Sequence, residues 1–344
     1  MFAHSIKENA LQFNMNSWIE EIQNHYRRGQ GHMLSYLWNR VQWNYFHQFN
    51  IVPKFPLNID IESASSCNIK CEHCFRQYIN VPESGVMPFD LYCKIIDECA
   101  KYNLFTLKFS MRGEPTVNPQ IVEMVDYAKK KGIKEVWVNT NGSLLTEKMA
   151  EGFIKADLDC LSVSFDGLRD TYEKVRTPLK YEDTLSKIEM FRSVRDKMKS
   201  SKPLFKVQTI WSAIKDNPDE YFQIMNNIVD KIAYNIDFDY QNIHFVPDPN
   251  YVCYRLWQRL SVTSKGYVLK CPSDFGQDEI LGNVQEKSLK EIWDSEQQKE
   301  RQRHLDGKRL DSEVCKNCHH GAKIIKEPKK IANQEQITNE VEYI

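Results

Sequence analysis

The sequence lacks the features that would assign it to a membrane or to nucleic acid. Its 46 lysines and arginines nearly balance 47 aspartates and glutamates, so the formal net charge is −1. That balance gives no electrostatic reason to expect binding to nucleic acid or to an acidic membrane surface. No run approaches the about 18 apolar residues of a membrane-spanning helix. The N-terminus, Met1–Ser5, also lacks the charged-then-apolar order of a secretory signal, and we expect a cytoplasmic protein.

Ten cysteines occur in this sequence without a secretory signal. We therefore expect metal ligands or free thiols in a reducing compartment and not a disulfide scaffold. The 344 residues suggest about two domains, and the 41% of hydrophobic residues can fill a sizeable core.

Three of the cysteines lie close together, directly after the strand-like run Leu57–Glu62. Cys67, Cys71 and Cys74 have the spacing C-x3-C-x2-C. Three thiolates can ligate three irons of a [4Fe–4S] cluster, which needs four ligands. The fourth iron is then left open, and an open metal position is where chemistry takes place.

A zinc site is the alternative for these cysteines, because zinc knuckles also use closely spaced thiolates. His73 is the obvious local fourth ligand. Its direct neighbour Cys74 makes joint ligation awkward, and the motifs further along the chain favour iron–sulfur.

Short strand-like runs alternate with amphipathic helical stretches from residue 57 to about 246. This alternation predicts βαβ units and a parallel sheet. Six strands are too few for an eight-stranded barrel. The predicted strands are Leu57–Glu62, Phe105–Ser110, Glu135–Asn139, Cys160–Phe165, Phe205–Trp211 and Ile236–Phe238.

Polar or metal-binding features follow four successive predicted strands. The cysteine trio follows the first, Met111–Pro115 the second, Asn139–Gly142 the third, and Ser164 with Asp166 the fourth. In parallel α/β folds ligands bind at the carboxyl ends of the strands. These segments therefore predict one shared site.

The cysteine spacing and these segments resemble the radical S-adenosylmethionine (radical SAM) superfamily. The resemblance implies an α/β fold with an open partial (β/α)6 barrel similar to part of a TIM barrel. It also implies that the open iron chelates the amino and carboxylate groups of SAM. In that family an electron from the cluster cleaves SAM to methionine and a 5′-deoxyadenosyl radical.

Six residues occupy positions that this resemblance implies are cofactor-binding: His73, Gly113, Glu114, Asn141, Ser164 and Arg176. His73 stands where the family often has an aromatic ring. The run from Gly113 to Pro115 resembles the motif that holds the amino group of SAM. Ser164 begins a segment that resembles the family's Ser-x-Asp-Gly segment, in which the serine contacts SAM. Arg176 matches a family arginine that often pairs with the SAM carboxylate.

Each of these matches has a simpler interpretation. A Gly-Glu-Pro run occurs in ordinary β-turns, Asn141-Gly142 is a common turn, and a lone arginine such as Arg176 is often paired at the surface. The family usually has glycine where this chain has Met111. We expect the following residue, Arg112, to place a cation near the substrate.

Four further cysteines form a second constellation. Cys253 and Cys271 precede a C-x2-C pair, Cys315 and Cys318. Their order resembles the C-terminal SPASM and twitch domains of radical SAM enzymes, and the number suffices for one auxiliary cluster. Four thiolates close a [4Fe–4S] cluster, which favours electron transfer. A structural zinc is the alternative for a four-cysteine set.

Four segments are predicted along the chain. Residues 1–50 form a helical extension that packs over the core domain, and 51–246 form the radical SAM partial barrel. Residues 247–325 form the auxiliary-cluster domain, and 326–344 form a charged tail without an apolar pattern.

The resemblance implies hydrogen abstraction from a substrate carbon, with SAM and two [4Fe–4S] clusters as cofactors. We expect oxidation of a sugar or aminocyclitol alcohol, with the auxiliary cluster accepting an electron from the substrate radical. An external donor such as flavodoxin or ferredoxin would supply the first electron. The sequence identifies no catalytic base. The alternatives are modification of a ribosomally made peptide and a non-catalytic zinc-binding protein.

Overall fold

The structure is a computed structural model that describes residues 12–15, 17–82, 84–235, 245–324 and 342–343. The predicted strand Ile236–Phe238 lies outside the described residues. So does the predicted tail, apart from Glu342–Tyr343.

Ten of the strands form one sheet in the order β1-β7-β6-β5-β4-β3-β2-β9-β10-β11, and three form a small antiparallel sheet, β13-β12-β8. The strands are β1 Gln12–Asn14, β2 Asn58–Ile61, β3 Thr106–Phe109, β4 Glu135–Thr140, β5 Cys160–Ser164, β6 Leu204–Ile210, β7 Lys231–Asn235, β8 Phe245–Pro247, β9 Arg259–Val262, β10 Tyr267–Leu269, β11 Ile280–Asn283, β12 Ala322–Ile324 and β13 Glu342–Tyr343.

Strands β2 to β7 are paired in parallel, each with the next along the chain. Strand β9 pairs in parallel with the other side of β2, whereas β10, β11 and β1 are antiparallel. The predicted open (β/α)6 partial barrel is therefore confirmed, with β7 as its sixth parallel strand.

The helices between the parallel strands cover the outer face of the sheet, so the polypeptide follows the βαβ pattern. The helices are α1 Trp18–Gly29, α2 Met33–Tyr45, α3 Phe89–Lys101, α4 Ile121–Lys130, α5 Glu147–Lys155, α6 Arg169–Val175, α7 Tyr181–Lys197, α8 Pro218–Asn226, α9 Arg255–Gln258, α10 Leu289–Asp294, α11 Glu296–Leu305 and α12 Glu313–Lys316.

Helices α1 and α2 lie within the segment predicted as a helical extension, and Ser17 with Glu20 forms a capping box at the start of α1. Large apolar residues of these helices are exposed. Trp18, Ile22 and Leu34 are 64%, 58% and 84% exposed. The extension packs on the barrel through other, largely polar side chains.

These polar contacts lie at the end of the barrel where the parallel strands begin. Arg28 donates from Nε and Nη2 to the two carboxylate oxygens of Glu135, at 2.7 and 3.2 Å. Lys231 Nζ donates to Glu21 Oε1 at 2.9 Å. Both Glu135 and Lys231 are buried first residues of strands. The helical pair therefore caps this end and neutralises its charges.

Candidate active site and metal centres

The cysteine trio lies on the loop after β2, at the carboxyl end of the parallel strands. Backbone bonds hold this loop against the segment after α6: Lys70 N donates to Thr177 O at 2.8 Å and Glu72 N to Val175 O at 3.0 Å. Cys67, Cys71 and Cys74 are free, half-buried thiols. His73 is also half-buried, between the second and third cysteines.

The electrostatics of the trio fit a metal cluster. The pKa of Cys71 is raised to about 11, mainly by burial and further by Cys74, Asp166 and Cys67, against the lowering effect of Arg176. Burial likewise raises the pKa of Cys67. Three thiols close enough to affect one another become stable thiolates when a bound cation offsets this cost. These residues fit three ligands of a [4Fe–4S] cluster.

The loop after β3 contacts the cysteine loop through its backbone. Glu114 N donates to Ser66 O at 2.9 Å. A Cβ at Gly113 would lie 2.1 Å from Ala64 O and 2.6 Å from Ser66 O, so only glycine fits there. Met111, where the family usually has glycine, has φ +101°. It therefore keeps a backbone conformation that is unfavourable for a side chain.

Glu114 connects three segments of the site and is only 3% exposed. Its Oε1 accepts from Thr116 N at 3.0 Å, Thr116 Oγ1 at 2.6 Å and Thr140 Oγ1 at 2.6 Å. Its Oε2 accepts from Asn141 N at 2.7 Å. A carboxylate oxygen has two lone pairs, so Oε2 keeps capacity for one further donor, such as an ammonium group.

Asn141 joins the end of β4 to the cysteine loop. Its Nδ2 donates to Asn68 Oδ1 at 2.9 Å, and its Oδ1 accepts from Ser143 Oγ at 2.6 Å. Asn68 in turn donates to Ser143 Oγ at 2.8 Å. Because Asn68 lies between the first two cysteines, this ring of bonds fixes the position of the metal-binding loop.

Arg176 lies at the cysteine loop and is not a surface residue. Its Nε donates to Asp166 Oδ2 at 2.6 Å, and its Nη1 lies 3.5 Å from Cys71 Sγ. Burial lowers its pKa, but Asp166 and Cys71 raise it by more, so the guanidinium stays charged. Ser164, the half-buried last residue of β5, lies two residues before Asp166.

Arg112 is buried and forms a structural ion pair. Its Nε and Nη2 donate to the two carboxylate oxygens of Glu62 at 2.9 and 2.7 Å, and its Nη1 donates to Gln277 Oε1 at 2.9 Å. The Glu62 carboxylate neutralises the guanidinium in this bidentate pair. The expected cation near the substrate is thus used to join the barrel to the C-terminal region.

The second set of cysteines is also brought together. Burial raises the pKa of Cys271, and Cys318, Cys253 and Cys315 each raise it further. All four thiols therefore lie within electrostatic range of one another, and all four are free. Their number fits a closed four-thiolate cluster.

Several residues of the site were missed in the sequence. Buried His304 accepts from Cys253 N at 3.3 Å and has Nε2 3.6 Å from Cys315 Sγ. Arg76 Nη1 donates to Ser65 O at 2.7 Å and to Arg112 O at 3.0 Å. Both act across long separations in the chain, so local spacing gives no signal for them.

The two cysteine regions meet through an aromatic pair. Phe75, directly after Cys74, stacks on Phe275, four residues after Cys271; the ring centroids are 3.8 Å apart and the planes 11° apart. The segment that follows Cys74 thus contacts the segment that follows Cys271.

No group of three or more His, Cys, Asp or Glu side chains converges on a single-ion site in the described part of the chain. None of the helices there has the length and apolar character needed to cross a membrane.

Two family models match this chain. The model of the radical SAM superfamily matches residues 61–233, half of the chain. The chain belongs to the radical SAM superfamily. The SPASM model, an iron-sulfur cluster-binding domain, matches residues 253–319. A radical SAM enzyme with a SPASM domain uses SAM and two iron–sulfur clusters, which decides against the zinc-binding alternative.

Curated relatives match only parts of this radical SAM enzyme. It is 34% identical over 153 residues to the tungsten-containing aldehyde ferredoxin oxidoreductase cofactor-modifying protein of Pyrococcus furiosus, covering 44% of this chain and 42% of the relative. It is 34% identical over 110 residues to Fe-coproporphyrin III synthase of Methanosarcina barkeri, covering 32% and 27%. The chain thus spans less than half of these relatives.

Solved radical SAM structures share the fold. BtrN in complex with AdoMet and 2-DOIA superposes with a TM-score of 0.53 at 22% identity, covering 77% of this chain and 92% of that one. Streptococcus suis SuiB bound to S-adenosylmethionine gives 0.56 at 17% identity, covering 80% and 75%. These identities support a common fold and do not select a substrate.

Proposed function

We propose that this enzyme oxidises a secondary alcohol of a sugar or aminocyclitol to a ketone. The observation that carries the proposal is the second set of cysteines, Cys253, Cys271, Cys315 and Cys318, which meets the first cysteine loop through Phe75 and Phe275. Four thiolates leave no iron open for a substrate, so this set suits an electron acceptor.

The cofactors supply the radical chemistry: when bound, the first cluster and SAM give a 5′-deoxyadenosyl radical, and the second cluster accepts an electron. Cys67, Cys71 and Cys74 would hold the first cluster. Glu114 Oε2 retains capacity for the amino group of SAM. Arg176, whose Nη1 lies 3.5 Å from Cys71 Sγ, would orient the carboxylate of SAM.

The proposed reaction balances as a two-electron oxidation. One hydrogen atom leaves the carbinol carbon, and the resulting substrate radical loses one electron and the hydroxyl proton to form the C=O bond. A base must take that proton, and no residue is assigned to this role. The inner face of the barrel carries Asp60, Lys108 and Ser162, and such polar side chains suit a hydroxyl-rich substrate.

The test uses the full chain, reconstituted anaerobically with iron and sulfide, together with SAM and dithionite. Candidate sugars and aminocyclitols carry deuterium at one carbinol carbon each. We expect deuterium in 5′-deoxyadenosine and a product two mass units lighter than the unlabelled alcohol. A ribosomal peptide that transfers deuterium while every sugar fails would overturn the proposal.

A matched pair of cysteine variants separates the two clusters. We expect Cys271→Ala to lower the iron content from about eight to about four atoms per chain and to keep deuterium transfer while losing the ketone. Cys93→Ser, a free thiol on α3, is the control and should keep both. Full ketone formation by Cys271→Ala would remove the second cluster from the mechanism.

The first electron would come from a reduced flavodoxin or ferredoxin. The prediction is that either protein, kept reduced by its own reductase, replaces dithionite in the assay above. Absence of SAM cleavage with both donors, while dithionite still supports it, would contradict this part of the proposal.

A further inference from the structure

The barrel interior differs from a packed hydrophobic core. On β2 and β3 the apolar residues Ile59 and Leu107 point toward the helices, and the alternate positions are polar. Asp60, Lys108 and Trp137 are neighbours in register across β2, β3 and β4. Closed barrels fill this space with branched apolar side chains. Here polar side chains line the inner face of the sheet, and we call the space they face the polar chamber.

Most charges around this chamber have partners. Glu135 and Lys231 are paired with the N-terminal helices at the lower end. Glu62 is paired with Arg112 at the upper end. These pairs stabilise the fold and offer no net charge to a ligand.

Lys108 is different, because among the described residues it forms no ion pair. Its side chain keeps some accessible surface, although burial lowers the pKa of its ammonium group. Asp60 counters this lowering, but it is already bonded by Arg259 Nη1 at 3.2 Å. Arg259 and Arg255 both add to the positive potential at Lys108. A buried ammonium group in this positive potential is unfavourable, and a bound anion would stabilise it.

Two neutral donors lie on the same face of the sheet. Ser261 is in register with Asp60, is fully buried and has no partner for Oγ among the described residues. Trp137, in register with Lys108, has a buried Nε1 that likewise lacks a partner there. Both groups can donate a hydrogen bond to a ligand that carries acceptor oxygens.

We infer that the chamber binds a substrate bearing a carboxylate or a phosphate, with Lys108 as its ion-pair partner and Ser261 and Trp137 as hydrogen-bond donors. The inference rests on the proposed function, since it specifies the sugar or aminocyclitol as an acidic one. Carboxylate and phosphate share the required chemistry, and the experiment distinguishes between them.

Binding is measured by calorimetry on the reconstituted full chain with SAM and without reductant, so that no turnover occurs. The probes are a neutral hexose, its 6-phosphate and the corresponding hexuronate. We expect at least one acidic probe to bind about tenfold more tightly than the neutral hexose or better. Lys108→Met should abolish this preference, and Lys108→Arg should largely keep it. Equal binding of all three probes to the unmodified protein would overturn the inference.

Stability separates a binding lysine from a structural one. Lys108→Met should leave the unfolding midpoint unchanged or raise it, because a strained buried charge is removed. Lys231→Met removes the partner of Glu21 and should lower the midpoint. Inorganic phosphate should raise the midpoint of the unmodified protein and not that of Lys108→Met. Absence of a phosphate effect on the unmodified protein, or a destabilised Lys108→Met, would contradict the assignment.

The outcome is independent of whether the alcohol is oxidised. Preferential binding of an acidic sugar without ketone formation would refute the proposed reaction and keep the anion site. Oxidation of neutral and acidic sugars with equal KM and kcat would refute the anion site and keep the proposed reaction.

Discussion

Met111 stands where the family usually has glycine, and its backbone keeps a conformation that favours glycine. Its φ of +101° lies where glycine is favoured. We predict that Met111→Gly raises the free energy of unfolding by about 1 kcal/mol, because relief of strain exceeds the added entropy of the unfolded chain. Chemical denaturation of the reconstituted protein measures this. Met149→Gly, in the first turn of α5, is the control and should destabilise the protein. If Met111→Gly also destabilises the protein, Met111 is not strained.

Glu114 accepts four hydrogen bonds, and an amide cannot replace it. Glu114→Gln turns an NH2 group toward backbone and hydroxyl donors, so we predict a loss of about 2–3 kcal/mol of stability and a large loss of SAM affinity. Denaturation and equilibrium dialysis with labelled SAM check the two effects. Glu123→Gln, on the exposed face of α4, should change neither. Unchanged SAM binding by Glu114→Gln would remove this carboxylate from the SAM site.

At the scale of elements, the Phe75–Phe275 stack is a direct contact between the two cysteine regions. We predict a coupling energy of about 0.5–1.5 kcal/mol in a double-mutant cycle of Phe75→Leu and Phe275→Leu, measured by denaturation. Each variant should retain about eight irons per chain. Additive effects of the two substitutions would mean that the stack contributes nothing specific.

The sequence predicted the parallel strands well because buried β-branched and aromatic runs alternate with amphipathic helices. Five of the six predicted strands overlap β2 to β6. The sixth, Ile236–Phe238, lies outside the described residues, directly after β7. Lys231, the buried first residue of this strand, donates to Glu21 Oε1 at 2.9 Å.

The N-terminal helices illustrate the opposite limit. The sequence predicted a helical extension over residues 1–50, but its apolar residues do not identify the packed face. That face is chosen by Arg28 and Glu21, which pair with strand residues about 107 and 210 positions away in the chain. In the same way the cysteine spacing predicted the ligands, but Asn68, Arg76 and His304 become recognisable only after folding.

At the scale of the whole molecule, the helical cap makes a testable contribution to stability. A chain that begins at residue 51 loses Arg28 as a partner of Glu135 and Glu21 as a partner of Lys231, at a cost of about 3–5 kcal/mol for each broken pair. We predict low soluble yield and a lowered unfolding midpoint. Glu135→Gln with Lys231→Met should partly restore the truncated chain. A truncated chain as stable as the full one would show that the cap is dispensable.

Strand β9 has a consequence for engineering. It belongs to the part of the chain that carries the auxiliary cysteines, yet it pairs in parallel with β2 from Asn58↔Arg259 to Ile61↔Val262. A chimera that exchanges the C-terminal region for that of another enzyme must therefore supply a strand of matching register, together with a partner for Arg112. Shuffling at a conventional linker would expose the edge of β2 and invite aggregation.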